Sequence, residues 1–401
     1  MKILQFCSKV PNPPKDGGSI AMDNLTKGLL QLGAEVKVFA LSTYKHPFDE
    51  SVLSSEYKAS TKIEAVEIDT RIKPIAAFLN LFGSDSYNVC RFYNKEAEQK
   101  LIELLNSTSY DIVQLETLFV TPYLQAIRKH SKAKIVFRSQ NLEFVIWQRK
   151  ASNEKNSFVR RYLRLLAKRL ERYESDLLNR YDGIAAITYG DADQFRKMGC
   201  TVPVRTIPFG IDLKTIQLKP GIHPEPNSCF HIGAMNWEPN CEAVKWLIEE
   251  VWPLVEKKNS AMKLYLAGRF MPDWIIRLNR PSVQVIGEVK NQYEFMQSKD
   301  VMLVPLLSGG GMRIKIIEGM AAGKAIISTR VGAEGIPCEN GKTVLFADTA
   351  EEFASQIVRC AENGSLTQRI GQQGKVLVHE QFDNVKICKN LLRFYTELLQ
   401  S

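Results

Sequence analysis

The chain has 401 residues, of which 45% are hydrophobic and 24% are charged. That length and composition fit about two folded domains and exclude a chain that is disordered throughout. The formal net charge of +9, concentrated in the first half, is compatible with an anionic partner or with solubility alone.

The eight cysteines are scattered, with no Cys-x-x-Cys pair and no zinc-ligand spacing. Scattered thiols are typical of a reducing compartment. The first apolar run is short and is followed by prolines and charges, unlike a signal peptide, and no sequence window approaches the ~20 apolar residues of a membrane-spanning helix. We therefore expect a cytoplasmic protein without a bound metal, with the inner face of the plasma membrane as a further possible location.

The first half alternates short apolar runs with helical patterns. Strands that are apolar at every position are typical of a parallel sheet covered on both faces, so the alternation predicts a doubly wound domain. The clearest predicted helices are Ala21–Leu32 and Tyr93–Leu105. The predicted strands are Ile3–Cys7, Val36–Leu41, Ile63–Ile68, Asp111–Leu115, Lys134–Phe137, Gly183–Ile187 and Val204–Pro208.

A proline-rich stretch of weak periodicity, residues 208–228, predicts a linker. The alternation then restarts. The predicted strands are Ser228–Ile232, Leu264–Ala267, Val283–Ile286, Val301–Pro305, Ala325–Ser328 and Thr343–Phe346, and the predicted helices are Glu242–Val255, Gln292–Met296, Ile314–Met320 and Thr349–Ala361. An amphipathic helix is predicted over residues 383–399.

The predicted fold class is therefore α/β, with two tandem Rossmann-like doubly wound domains over residues 1–207 and 229–382. We expect the helix at 383–399 to pack back on the first domain. Because ligands of open α/β sheets bind outside the carboxyl ends of the strands, we expect them in a cleft that both domains face.

Two glycine-rich segments follow predicted strands. Gly17 and Gly18 lie between the first strand and its helix, where bare backbone amides at a helix N-terminus form an anion site. A plain tight turn is the alternative. Gly309, Gly310 and Gly311 follow a later strand in the same way. The chain lacks the Gly-x-Gly-x-x-Gly fingerprint, which argues against a dinucleotide-dependent dehydrogenase.

Two cations and an acid accompany the second glycine segment. Arg313 and Lys315 stand in the first turn of the predicted helix, where the helix dipole disfavours cations, so an anion such as a diphosphate is expected between them. Glu318 follows on the same face, and its carboxylate suits the two hydroxyls of a ribose. A surface ion pair between Lys315 and Glu318 is the alternative. Glycines, cations and an acid at one strand-to-helix junction favour the binding site.

Of two further segments, one is polar and the other is basic. Gln140, Asn141 and Glu143 follow a predicted strand and suit the hydroxyls of a sugar or an acceptor, the alternative being a helix capped by Ser139 or Asn141. A basic amphipathic helix then fits either an anionic lipid surface or a solvated helix face. Its basic residues are Arg160, Arg161, Arg164, Lys168, Arg169 and Arg172.

Together these segments resemble the family-4 (group 1) retaining glycosyltransferases, which have the GT-B fold, over essentially the whole chain. The matching segments are Gly17-Gly18, residues 207–212, 232–240, 266–268, 309–323 and 332–336. The resemblance implies a UDP- or GDP-sugar donor, a glycan or lipid-linked acceptor, retention of the anomeric configuration and no metal. It also implies a role in surface polysaccharide or glycolipid synthesis and no nucleic-acid partner.

By this resemblance Arg313 and Lys315 hold the diphosphate and stabilise it as it leaves, so that they do the work of a metal ion. Glu318 matches the second acid of the family's paired-glutamate motif and binds the ribose. These three are the expected catalytic residues. The glycines of both segments, Gly17 and Gly18 in the first domain and the three before Arg313 in the second, share in binding the phosphates.

The sequence departs from the family pattern in three places. Gly310 stands where the family has the first acid of its paired motif, so backbone amides replace a side chain there. Met235, Asn236 and Asn240 stand where many members have an arginine and a lysine. Gln140 replaces a common histidine. These departures leave open two alternatives, a sugar-nucleotide-binding protein without catalysis and a sugar-nucleotide epimerase of the same fold.

Overall fold

The computed structural model describes residues 1–73, 80, 83 and 86–401. Within these residues the chain divides into two compact units, Met1–Gly210 with Asn384–Ser401, and Ile211–Asp383. Each unit is built around one sheet. Among the described helices, none combines the length and the apolar composition that crossing a bilayer requires.

The described strands of the first unit form one sheet with the order β3-β2-β1-β4-β5-β6-β7, in which all neighbouring pairs are parallel. These strands are β1 (Lys2–Cys7), β2 (Glu35–Ser42), β3 (Glu64–Glu67), β4 (Ile112–Glu116), β5 (Lys134–Ser139), β6 (Gly183–Ala186) and β7 (Val204–Thr206). The described helices of this unit up to residue 210 are α1 (Gly17–Gln31), α2 (Ser55–Thr61), α3 (Tyr87–Cys90), α4 (Lys95–Ser107), α5 (Leu124–His130), α6 (Glu143–Asn153), α7 (Ser157–Leu177) and α8 (Tyr189–Lys197).

Apolar side chains cover both faces of the first sheet. On β1, Leu4 and Phe6 lie in one core, whereas Ile3 and Cys7 lie in the core of the opposite face. All four are fully buried. A strand buried on both sides has no alternation of apolar and exposed polar residues, which is why residues 3–7 are apolar except for the buried Gln5.

The second unit contains the remaining strands and most of the remaining helices. Its described strands are β8 (Glu225–Ile232), β9 (Lys263–Ala267), β10 (Val283–Gly287), β11 (Lys299–Val304), β12 (Ala325–Ser328) and β13 (Leu345–Phe346), in the order β10-β9-β8-β11-β12-β13, and the neighbouring pairs are again parallel. Its described helices are α9 (Glu238–Trp246), α10 (Trp252–Lys258), α11 (Asp273–Ile276), α12 (Gln292–Gln297), α13 (Ile314–Ala321), α14 (Ala350–Glu362) and α15 (Gly364–Gln381). The predicted α/β class with two doubly wound Rossmann-like halves is confirmed.

The last helix, α16 (Asn384–Gln400), packs in the first unit. It lies so close to α1 that a Cβ on Gly28 would collide with the Cys388 thiol. The Asn384 side chain donates to the carbonyl oxygen of Asn24 at 2.6 Å. Leu391 and Tyr395 are fully buried in the core on this face of the sheet. The apolar stripe of α16 is therefore part of the first unit's core.

Strand β8 begins earlier than the sequence predicts, at Glu225, inside the stretch 208–228 that was interpreted as a linker. The Glu225 carboxylate explains the difference. It accepts hydrogen bonds from the Tyr265 hydroxyl at 2.6 Å and from the Lys299 ammonium at 2.8 Å, two residues on the neighbouring strands β9 and β11. These cross-strand contacts extend β8 through a segment whose proline, Pro226, disfavours a strand in the sequence.

Candidate functional site

The glycine loop of the second unit joins β11 to α13. Gly309 and Gly311 have backbone φ angles of 104° and 77°, a conformation that side-chain-bearing residues rarely adopt. A Cβ on Gly309 would also lie 3.0 Å from the Trp237 ring. The sequence therefore needs glycine here for two reasons, the turn of the backbone and the approach of an aromatic side chain.

Arg313 is the N-cap residue of α13 and is 5% exposed. Its guanidinium donates to the carbonyl oxygens of Gly310 and Gly311 and lies over the Trp237 ring at 5.3 Å from the centroid. A cation at this end of a helix is opposed by the helix dipole, so the loop holds Arg313 where positive charge is intrinsically unfavourable. An anion bound beside it would relieve that cost.

Lys315 lies two residues further along, in the first turn of α13, and its ammonium is turned toward β8. It donates to Asn240 Oδ1 at 2.8 Å and to the carbonyl oxygen of Ile232 at 3.1 Å. The position of a Cβ on Gly233 would be 3.0 Å from the same nitrogen. Burial, followed by the charge of Arg313, lowers the pKa of Lys315 to about 7. The two cations are thus close enough to disfavour each other, as expected of groups that share one anion.

The alternative interpretation of Glu318 was a surface ion pair with Lys315. The structure gives its carboxylate other partners. Its carboxylate accepts from the Gln292 side-chain amide at 2.9 Å and from the Tyr293 hydroxyl at 3.3 Å. Burial raises the pKa of Glu318 to about 7. The acid is therefore fixed on α13 by two donors of α12, in a geometry that leaves a carboxylate able to accept further hydrogen bonds from hydroxyl groups.

Gln292 and Tyr293 were not identified as site residues from the sequence. They follow β10 by a few residues, so they lie at the same edge of the sheet as the loop after β11. That position was a usable signal, because the loops at the carboxyl ends of parallel strands gather at one edge. Asn240 was named only as a departure from the family pattern, and the structure gives it a direct contact with Lys315.

In the first unit, Gly17 and Gly18 form the start of α1 and Asp16 is its N-cap. The Asp16 carboxylate accepts from the Ser19 amide at 2.8 Å, forms an ion pair with Lys9 at 2.8 Å and accepts a hydrogen bond from His46 Nε2 at 3.0 Å. Burial raises the pKa of Asp16, but the bonds from His46 and Lys9 outweigh burial and hold it well below its usual range. The helix start is thus fixed by a charged carboxylate.

Gln140 lies next to the same helix start. A Cβ built on Gly18 would be 3.0 Å from Gln140 Oε1 and 2.9 Å from the Lys9 ammonium. Lys9 was not recognised in the sequence, where it reads as one basic residue after an apolar strand. The glycine, the amide oxygen and the ammonium are therefore grouped at the carboxyl ends of β1 and β5.

Glu143 begins α6, and the residue before it, Leu142, is the N-cap without a side-chain cap. The alternative of a helix capped by Ser139 or Asn141 is therefore wrong. The reason is local, since the Ser139 hydroxyl donates to the carbonyl oxygen of Asn141 at 3.0 Å instead. Burial raises the pKa of Glu143 to about 7, although an Asn141 hydrogen bond and the charge of Lys9 oppose the shift.

A pH dependence follows from Lys315. Its pKa in the free protein is lowered to about 7, and a bound diphosphate would raise it, so binding takes up a proton above pH ~7. We expect the affinity for a nucleotide-diphosphate sugar, whose phosphates stay ionised, to fall as the pH rises from ~7 to ~9 and to change little below ~7 through this group. Calorimetry in buffers of different ionisation enthalpy measures the proton uptake.

The titration of Glu318 must be excluded from that measurement, because its pKa is raised to about 7 and lies in the same pH range. The pKa of Glu143 is also raised to about 7, so the double variant Glu143→Gln and Glu318→Gln is used to keep Lys315 as the titrating group among the assigned residues. Proton release, or an affinity that does not fall with pH in this variant, would show that Lys315 does not meet the diphosphate.

Among the described residues, the histidines, cysteines and acids form no group of three placed to hold a metal ion. The arrangement in the second unit instead offers two held cations and backbone amides to an anion. A carboxylate with hydrogen-bond donors of its own lies further along the same helix.

Two family models match the chain. Residues 15–215, half of the chain, match the model described as Glycosyltransferase Family 4, and residues 226–363 match Glycosyl transferases group 1. A curated relative from Klebsiella pneumoniae, described as an uncharacterized 44.6 kDa protein in cps region, is 22% identical over 406 aligned residues, which cover 98% of this chain and 99% of the relative.

Two solved structures have the same fold over their full length. Sucrose-phosphate synthase from Thermosynechococcus elongatus superposes with a TM-score of 0.72 at 16% identity, covering all of both chains. Anabaena HepE in complex with UDP-glucose superposes with a TM-score of 0.66 at 15% identity, covering 99% of this chain and 100% of HepE. At these identities the likeness shows the fold.

Proposed function

The chain belongs to the family-4 glycosyltransferases, and on that premise we propose that it transfers a sugar from UDP or GDP to a glycan or lipid-linked acceptor with retention of the anomeric configuration. It is a glycosyltransferase of GT-B type. The observation that carries the proposal is the pair Arg313 and Lys315, held at a glycine loop where the fold alone disfavours two cations.

The donor's diphosphate is assigned to Arg313, Lys315 and the amides of Gly309, Gly310 and Gly311. Two positive charges and backbone N–H groups are proposed to stabilise the negative charge that develops on the leaving diphosphate, which is the largest single contribution in many transfer reactions. With these groups in place the reaction is proposed to need no metal ion. Gly310 cannot supply the side chain that the family's first acid supplies, so the neighbouring amides take its place.

Glu318 is assigned to the ribose. A carboxylate can accept hydrogen bonds from two neighbouring hydroxyls, and the donors Gln292 and Tyr293 keep it oriented. The complex of HepE with UDP-glucose, a protein of the same fold, supports a UDP-sugar as the first donor to test.

In the first unit, Gly17 and Gly18 are assigned a share of the phosphate contacts, and Gln140, Asn141 and Glu143 the hydroxyls of the sugar or the acceptor. This makes residues 1–207, with the helix at 383–399, the acceptor side, residues 208–228 the connection and residues 229–382 the donor side. The relative in a cps region supports a pathway that builds a surface polysaccharide or glycolipid.

Screening against nucleotide sugars tests the proposal. A ligand that binds the native state raises its melting temperature, so UDP- and GDP-sugars are screened by thermal shift and the best donor is then offered to candidate acceptors. We expect transfer with the donor's anomeric configuration, read by proton NMR of the product. Binding without turnover on any acceptor would favour the non-catalytic alternative, and interconversion of two nucleotide sugars would favour the epimerase.

We also propose that the first unit contacts the inner face of the plasma membrane through α7. Phe158, at its first turn, is 85% exposed beside Arg160 and Arg161. The basic side chains of Arg161, Arg164 and Lys168 are exposed at spacings that place them on one side of the helix. An exposed aromatic ring beside a basic stripe suits an anionic lipid surface.

Sedimentation with phosphatidylglycerol vesicles at low and high salt checks this membrane contact. Each basic side chain near an anionic surface contributes ~1 kcal/mol, so reversing Arg161, Arg164 and Lys168 to Glu is expected to weaken binding about 10²-fold at low salt. The control reverses Lys257 and Lys258, at the end of α10 in the other unit. Binding that is insensitive to salt, or equally weak in both variants, would exclude α7 as the contact.

A further inference from the structure

Glu116 is a fully buried carboxylate outside the residues assigned so far. It is the last residue of β4 and has no exposed surface. The side-chain amides of Gln5, Gln114 and Gln140 all donate to it, Gln5 at 3.0 Å and Gln140 at 3.2 Å. A buried carboxylate only accepts, so three amide NH₂ groups turned toward one acid form a satisfied cluster.

A hydroxyl of each of two covering helices lies beside the oxygen of one of the first two amides. The Thr26 hydroxyl of α1 donates to Gln5 Oε1 at 2.6 Å, and the Tyr395 hydroxyl of α16 donates to Gln114 Oε1. Each of these glutamines therefore has its oxygen toward a hydroxyl and its nitrogen toward Glu116. The acid is held in place from β1, β4 and both covering helices.

Gln140 differs from the other two because its oxygen faces the start of α1. Its nitrogen donates to Glu116, so Oε1 is left beside Gly18, 3.0 Å from where a Cβ would stand. A neutral amide can turn either its oxygen or its nitrogen to a ligand. A carboxylate partner removes that choice, because only the NH₂ group can face it.

An ion pair between Lys9 and Asp16 lies beside the same glycine. The Lys9 ammonium lies 2.9 Å from the Gly18 Cβ position and is held by Asp16 at 2.8 Å. Gln140 Oε1 and the Lys9 ammonium thus both approach Gly18 closely, one as an oriented acceptor and one as an oriented cation. Each is held by a carboxylate, Gln140 by Glu116 and Lys9 by Asp16.

We propose that Glu116 is a positioning residue, which locks the Gln140 amide so that its oxygen faces Gly18 and accepts a hydrogen bond from a hydroxyl of the transferred sugar. The inference rests on the proposed function, which supplies the sugar. Glu116 itself would touch no substrate. It would determine which end of the Gln140 amide faces the sugar. The Glu116→Gln variant has nearly the same shape but presents both an oxygen and an NH₂ group, so it lets the Gln140 amide turn over.

The test uses donors that each lack one hydroxyl of the sugar. In the wild type, the donor without the hydroxyl that Gln140 binds is expected to lose about 5- to 10-fold in kcat/KM, the value of one neutral hydrogen bond. Gln140→Met removes the acceptor and should abolish that loss. Glu116→Gln should reduce the discrimination at the same hydroxyl and leave the discrimination at the other hydroxyls unchanged. In a protein that already carries Gln140→Met, the additional Glu116→Gln change should not alter the discrimination further.

A purely structural acid gives a different pattern. If Glu116→Gln lowers kcat/KM equally for every donor, and adds its full effect to Gln140→Met, the positioning role is overturned. If Glu116→Gln does not fold, Glu116→Asp keeps the charge and decides the question, since it should preserve the discrimination. A wild type that turns over no nucleotide sugar overturns the proposed function itself, whereas turnover with unchanged discrimination in Glu116→Gln overturns only this inference.

Discussion

Lys315→Ala is expected to weaken the binding of a nucleotide sugar by about 10²-fold or more. A charged hydrogen bond to phosphate in a buried site contributes ~2–4 kcal/mol, and alanine removes it together with the positive charge. The truncation also leaves Asn240 Oδ1 and the Ile232 carbonyl without their donor. Isothermal titration calorimetry with UDP-glucose, or with the best donor of the screen, measures the effect.

The same unit supplies a matched control in Lys324. That lysine is 6% exposed, donates to the carbonyl oxygen of Lys299 at 2.7 Å, and lies just past the C-terminal end of α13, away from the glycine loop. Lys324→Ala should lower stability without changing donor affinity. An unchanged affinity in Lys315→Ala, or an equal loss in both variants, would refute the assignment of Lys315 to the diphosphate.

Gly268→Ala is expected to lower the free energy of unfolding by about 2–4 kcal/mol and to weaken donor binding as well. Gly268 follows β9 with a φ of 142°, and a Cβ there would collide with the carbonyl group of Gly233 at the end of β8. Strain at such an angle and overpacking each contribute ~1–3 kcal/mol. Because Gly233 adjoins the Lys315 ammonium, a shift of its backbone is also expected to displace the group that we propose to contact the phosphate.

Chemical denaturation and calorimetry of the same variant separate the two effects. Gly341→Ala is the control, because Gly341 has a φ of 74° but open space around its Cβ position. That control should lose about 1 kcal/mol and keep its donor affinity. A Gly268→Ala protein as stable as the Gly341→Ala protein would show that β8 and β9 tolerate the extra atom.

The fold class was predictable because most of the strands are short and carry apolar side chains on both faces of the sheet. Ile3–Cys7 and Val301–Pro305 show the signal clearly, and the structure places β1 and β11 there. The helix α15 was missed, because Gly371 and Gly374 lower its intrinsic helix propensity. A Cβ on Gly371 would collide with the backbone of Gly323, so packing against the turn after α13 requires the glycine that weakens the local pattern.

The candidate site was only partly predictable. Gly309 to Gly311, Arg313, Lys315 and Glu318 lie within one short segment, so their coincidence is visible in the sequence. Lys9, Asn240 and Glu116 act through partners 7, 75 and 24 residues away, and no local pattern shows such contacts. The roles assigned to all of these residues stay predictions until substrates are bound and variants are measured.

A crystal structure with UDP-glucose tests the central claim most directly. The distance to measure joins the Lys315 ammonium to the nearest phosphate oxygen. We expect a hydrogen bond of ~2.7–3.2 Å, with the Arg313 guanidinium in contact with the same diphosphate. A diphosphate bound elsewhere, with the Lys315 ammonium still held only by Asn240 and the Ile232 carbonyl, would contradict the account.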